Sequence, residues 1–137
     1  MQPTLSFEVI HEYDPGEPGI TLPVELKLAE KSLRISAKLD CGSSFCIFKR
    51  EHGEELGLII ESGTLERIST AMGSFVAYGH PVTLSALGFE LEVVAYFAAM
   101  PNFPRNVLGR HGWMQQLKLG IVDYDGRLYV GRYDSEA

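Results

Sequence analysis

Cysteine is scarce: this chain of 137 residues has two, Cys41 and Cys46, five apart around one short turn. That spacing is a poor disulfide framework and fits a reducing compartment better than a secreted one. Neither Cys-x-x-Cys nor His-x-x-x-His spacing occurs, so the sequence offers no metal site, and no cofactor is expected. Positive charge is short as well, with 12 Lys and Arg against 18 Asp and Glu and a net charge of −6. No cluster of bases offsets it, which argues against nucleic acid or an anionic membrane as the partner. Long apolar runs are missing, and Met1 to Phe7 lack the basic start of a secretory leader; a soluble, cytoplasmic protein is expected.

What is present is globular. Hydrophobic residues make up 45% and charged residues 22%, enough for one domain with a real core and too short a chain for two lobes. Residues 1–19 form an N-terminal segment that ends in the Pro/Gly loop Tyr13-Asp14-Pro15-Gly16-Glu17-Pro18-Gly19. Residues 20–134 form the domain. Ile20, Leu22, Val24, Leu26 and Leu28 alternate with polar neighbours, so they predict a strand with one buried face, and Pro23 places its early part at a sheet edge.

A second alternating strand, Leu33 to Leu39, turns back from it. Residues 49–56 predict a short helix stopped by Gly57, with Phe48, His52 and Leu56 on one side. Leu58 to Ile60 are expected extended. Leu65 to Thr70 and Phe75 to Tyr78 flank a small-residue tip, Val82 to Ala86 and Phe89 to Phe97 form another hairpin, and Asp125-Gly126 marks a last one. Residues 111–117 predict a second short helix. With roughly eight strands and no alternation of strand and helix, the pattern points to a mainly antiparallel all-β barrel or sandwich.

The stretch that carries chemistry is Leu39-Asp40-Cys41-Gly42-Ser43-Ser44, where the second strand delivers a carboxylate into a glycine turn. Asp-x-Gly is most often only a turn, because Asp bonds its own backbone and Gly tolerates positive φ. Here, however, the apolar run Phe45-Cys46-Ile47-Phe48 follows at once with no solvated loop between.

Three features together resemble the retropepsin-like aspartic proteases: this loop, the small-residue hairpin tip some thirty residues on, and Asn106-Val107-Leu108-Gly109-Arg110 ahead of a short helix. The resemblance implies an acid-protease-type closed barrel with one or two short helices, one lobe per chain. It makes Asp40 the catalytic aspartate, with Cys41, Gly42 and Ser43 supporting its loop and the Ser43 hydroxyl bracing the carboxylate. Met72, Gly73 and Ser74 would form the tip of a flap over bound substrate, with Phe75 and Tyr78 as pocket walls or core. Leu108, Gly109 and Arg110 would pack behind the site as structural residues.

The chemistry of such a family needs two carboxylates sharing a proton, and this chain holds no second copy of the loop: Asp123-Tyr124-Asp125-Gly126 lacks the following Ser or Ala. An isologous homodimer with one Asp40 from each subunit is therefore expected, hydrolysing an extended polypeptide as an aspartic endopeptidase. At Cys41 the family usually carries Thr or Ser, whose hydroxyl bonds across the dimer axis. A thiol is a weak donor and acceptor, which loosens that brace by about 1 kcal/mol per lost bond.

Other chemistries compete with this one. A catalytically silent dimer of the same fold that binds extended peptides is the alternative of another class. A cysteine hydrolase would pair Cys41 or Cys46 with His11, His52, His80 or His111, and a metal centre would use Cys41, Cys46 and His52; nothing in the spacing favours either.

Overall fold

The computed structural model describes residues 1–71 and 73–136. Among the described residues ten strands and one α-helix follow in the order β1 (Val9–Glu12), β2 (Ile20–Leu28), β3 (Lys31–Leu39), β4 (Ile47–Phe48), α1 (Arg50–Glu55), β5 (Thr64–Thr70), β6 (Gly73–Ala86), β7 (Phe89–Ala98), β8 (Val107–Leu108), β9 (Leu117–Val122) and β10 (Arg127–Arg132). The fold is all-β. A seven-stranded sheet runs β2-β3-β8-β4-β7-β6-β5, and a second pairing of β2 with β6 closes six of these strands into a ring, leaving β5 outside. The expected barrel is thus closed but irregular. A separate sheet, β1-β10-β9, packs against it through Val9, Leu128 and Val130.

Alternation decides which side faces inward. On β2, Leu22, Val24 and Leu26 are buried; on β7, Phe89, Leu91, Val93, Ala95 and Phe97 are buried while Glu90, Glu92 and Val94 are exposed. The partner strand β3 contributes Ala37 fully and Leu33, Ile35 and Leu39 in part. Pairing of β2 with β6 covers only Glu25 to Lys27, so Pro23 does lie on an unpaired margin. Pro81 uses a similar gap. It pairs with Val94 on one side, but on the other margin β6 leaves β5 at Gly79 and meets β2 only from Thr83. A residue without an N–H is tolerated there, and the two expected strands of residues 75–86 are one.

Two expectations fail locally. Residues 111–117 do not form an α-helix: Gly112 adopts φ +105, a conformation that interrupts helical backbone, and only Met114–Gln116 closes a 3-10 turn. Leu58 to Ile60 are not a strand either. Leu58 N–H caps α1 by bonding Gly53 O at 3.0 Å, and Ile60–Ser62 coil into a 3-10 turn that buries Ile60. The predicted helix over residues 49–56 is present as α1, ended by Gly57 at φ +85. Among the described residues no helix is long and apolar enough to cross a membrane.

Candidate active site

Although most pairings are antiparallel, β3 and β8 run parallel, so both end on the same face. From the end of β3 the chain enters Asp40, and from the end of β8 it enters Gly109. The two exits are tied together: Asp40 N–H bonds Leu108 O at 3.0 Å, Arg110 N–H bonds Ser43 O at 2.9 Å, and His111 N–H bonds Ser44 O at 2.8 Å. Gly109 makes this contact possible. A Cβ there would lie 2.2 Å from Phe45 O and 2.8 Å from Ser43 O, closer than any side chain is accommodated. Leu108 is buried beneath, while the Arg110 side chain is exposed.

Above this layer the Asp40 loop closes on itself. Gly42 N–H donates to Asp40 Oδ1 at 2.9 Å and Ser43 N–H to Asp40 O at 3.1 Å, so one carboxylate oxygen is held. Among the described residues no donor reaches Oδ2. The Ser43 hydroxyl, expected to brace the carboxylate, instead donates to Phe45 O at 2.7 Å. It stiffens the loop and leaves the acid open. Cys41 is exposed beside Asp40.

The other cysteine is closed to chemistry. Cys46 is fully buried and accepts the Gly109 N–H at 3.4 Å. Burial pushes its thiol up to about 11, so no thiolate forms at neutral pH. The histidines are engaged elsewhere: His11 with Thr21 O, His80 with Ile60 O, His52 with Asn106, and His111 against the Phe45 ring. Among the described residues no three His, Cys, Asp or Glu side chains gather as metal ligands.

Asp40, Gly42 and Ser43 form the floor of an open cleft of about 930 Å³ whose opposite wall is the β5–β6 hairpin, including Gly73 and Ser74. Thr70 pairs with Gly73 at its end, where Gly73 adopts φ +122. Met72, expected at the tip, lies outside the described residues. Between wall and floor sits a small apolar cluster distinct from the main core, with Ile47, Ile68, Ala77 and Val107 buried and Phe45, Phe75, Tyr96 and Phe103 packed around them. The Phe75 and Phe103 rings pack with centroids 4.9 Å apart and planes tilted by 43°, joining the hairpin to the segment ahead of β8. Tyr78 turns instead into the main core.

Sequence reasoning did not single out Ile68, Phe103, Arg67 and Arg105, which also line the cleft. Ile68 sits in an alternation otherwise too polar to draw notice, and Phe103 and Arg105 sit in a Pro-broken stretch without periodicity.

Behind the floor, Asn106 is a buried polar junction. Its Oδ1 accepts Lys49 N–H at 3.0 Å, and its Nδ2 reaches Ser36 O at 3.1 Å and His52 Nε2 at 3.3 Å. One amide thereby links β3, α1 and the start of β8. Since Nδ2 is a donor, His52 Nε2 must be the unprotonated nitrogen, and a second proton would set donor against donor. Burial lowers the His52 pKa below its ordinary value of 6.5, outweighing Glu51 and Glu55, which raise it.

The unfolded chain therefore takes up this proton at a higher pH than the folded one, so it binds more protons between the two pKa values. The His52 contribution is complete above pH 6.5 and is lost as pH falls through that value toward the folded pKa. Thermal melts across this range should show a smaller acid-induced loss for His52→Gln than for the wild type; equal losses would remove His52 as the cause.

No family model matches this sequence, and no curated protein matches it either. Among solved structures, the fold is similar to that of the EIAV protease complexed with the inhibitor HBY-793, with a TM-score of 0.56 and 20% identity. The match covers 72% of this chain and 88% of that one. At that identity the shared property is the retropepsin-like fold.

Proposed function

We propose that this protein is an aspartic endopeptidase that cleaves extended polypeptides as a homodimer. The observation that carries the proposal is the placement of Asp40: among the described residues it is the only carboxylate lining the cleft, it is exposed, and one of its oxygens is held by Gly42 N–H at 2.9 Å while the other is open. The likeness of fold to the EIAV protease supports it.

One carboxylate cannot serve as acid and base at once, so two subunits would bring their Asp40 side chains together on a two-fold axis. Like charges at contact distance do not both ionise cheaply, and the pair shares one proton. The ionised member takes a proton from the attacking water, and the protonated member gives its proton to the carbonyl oxygen. Water oxygen adds to the carbonyl carbon, and the C–N bond then breaks with a proton going to the leaving amine. The β5–β6 hairpin would act as the flap, pairing with the peptide backbone while alternate side chains enter the pocket built by Phe45, Ile68, Phe75 and Phe103. Neither a metal nor a cofactor enters this scheme.

A diverse set of unstructured peptides, incubated from acidic to neutral pH, tests the proposal. Cleavage is expected, with specific activity rising with protein concentration until the dimer, sized in the same buffer, is fully formed. A strict monomer, or no cleavage of any peptide at any pH, would exclude the scheme and leave a silent peptide-binding fold.

A further inference from the structure

The cleft carries the opposite charge to the chain around it. The protein has a net charge of −6, yet among the described cleft-lining residues Asp40 is the one acid, facing two bases, Arg67 and Arg105. Both arginines are exposed. Neither forms an ion pair among the described residues, whereas Arg34 pairs with Glu25 and Arg50 with Glu54 and Glu61. A guanidinium stays charged at any working pH and offers a planar fork of donors that matches a carboxylate.

Their mountings differ. Arg105 directly precedes Asn106, whose side chain makes three hydrogen bonds that anchor this segment, and it follows Phe103 and Pro104, of which Phe103 packs against the Phe75 ring. Arg67 neighbours Ile68 on β5 at the opposite parity from that buried side chain; it is exposed, and it is among the residues that line the cleft. Two unpaired cations in a concave site draw in anionic ligands even when the whole protein is acidic. A carboxylate directly over Asp40 would meet like charge, so the favoured place for an acid is beside the reacting bond.

We propose that the cleft selects peptides bearing an Asp or Glu flanking the cleavage point, with Arg105 the main selecting residue and Arg67 its partner. Cleavage of such a peptide rests on the peptidase scheme above; its recognition does not. Three peptides identical except for Glu, Gln or Lys at flanking positions provide the probe. Cleavage is compared between the wild type, Arg105→Gln, Arg105→Glu and Arg67→Gln, and binding is measured by fluorescence anisotropy on the Asp40→Asn background.

The wild type is expected to prefer Glu over Gln, with each arginine contributing about fivefold, and Arg105→Glu should turn the preference toward Lys. The preference should shrink in salt. It should also vanish as the peptide's own Glu is protonated below about pH 4.3. Arg34→Gln removes the same charge outside the cleft and should leave the Glu-to-Gln ratio unchanged. Equal handling of the three peptides in both assays would overturn the inference. Cleavage without preference overturns it while the peptidase scheme stands; Arg105-dependent binding without cleavage does the reverse.

Discussion

Replacing Asp40 with Asn is expected to lower peptide cleavage by at least about a thousandfold while leaving the fold and the dimer intact. The amide keeps an oxygen where Oδ1 sits, so the 2.9 Å bond from Gly42 N–H survives, and an exposed side chain of the same size adds no strain. What it loses is the ability to take a proton from water. Because each catalytic centre would need one Asp40 from each subunit, titrating the variant into the wild type adds a sharper test. At equal amounts with free exchange, about a quarter of the dimers keep two aspartates, and activity per wild-type chain should fall accordingly. Undiminished cleavage by the pure variant would remove Asp40 from the chemistry, and an additive rather than poisoned mixture would remove the shared dyad.

Gly109→Ala should damage the protein through its backbone. The new methyl would sit 2.2 Å from Phe45 O and 2.7 Å from its carbonyl carbon, and neither atom belongs to a flexible side chain that could swing away. Relief requires the layers to separate, which pulls on Arg110 N–H with Ser43 O and on His111 N–H with Ser44 O. Overpacking of this kind costs about 3 kcal/mol, or a fall in melting temperature of roughly 10 °C. Activity should fall further than stability, measured well below the melting point, since the shifted segment carries the loop of Asp40. Gly88→Ala is the comparison: with φ +88 it has a strained backbone, but nothing lies within 4 Å of its added methyl, so it should lose stability without a selective loss of activity. If the two variants behave alike, the close approach at Gly109 is not what matters.

Much of the architecture was legible along the chain because strand burial writes itself as period-two alternation. Leu22, Val24 and Leu26 on β2, and Leu91, Val93, Ala95 and Phe97 on β7, are buried as their spacing requires. The Asp40 loop was legible too, since a carboxylate, a glycine turn and an uninterrupted apolar run are local features. Residues 111–117 have helical propensity, but Gly112 is held at φ +105 and His111 is drawn into a bridge with Phe45, so the expected short helix does not form. Tertiary contacts there override local preference.

Ser43 shows the same limit at the level of one atom. Its hydroxyl lies two residues from a competing carbonyl, Phe45 O, and bonds it at 2.7 Å rather than the neighbouring acid. In sequence Asn106 is only the first residue of a motif, yet it holds Lys49, Ser36 and His52 together across separations of 57, 70 and 54 residues. No local pattern reports partners that far apart.

By itself the sequence determined the long alternating strands β2, β3 and β7 with their buried faces, the turn that presents Asp40 and the presence of a single such turn, because each depends on residues within a few positions of one another. Tertiary structure alone decided that β8 would pair in parallel with β3, and that Arg67 and Arg105 would share a cleft with the acid. Those outcomes depend on which distant segments share a ladder and how closely their backbones pack, and that is settled when the whole barrel closes.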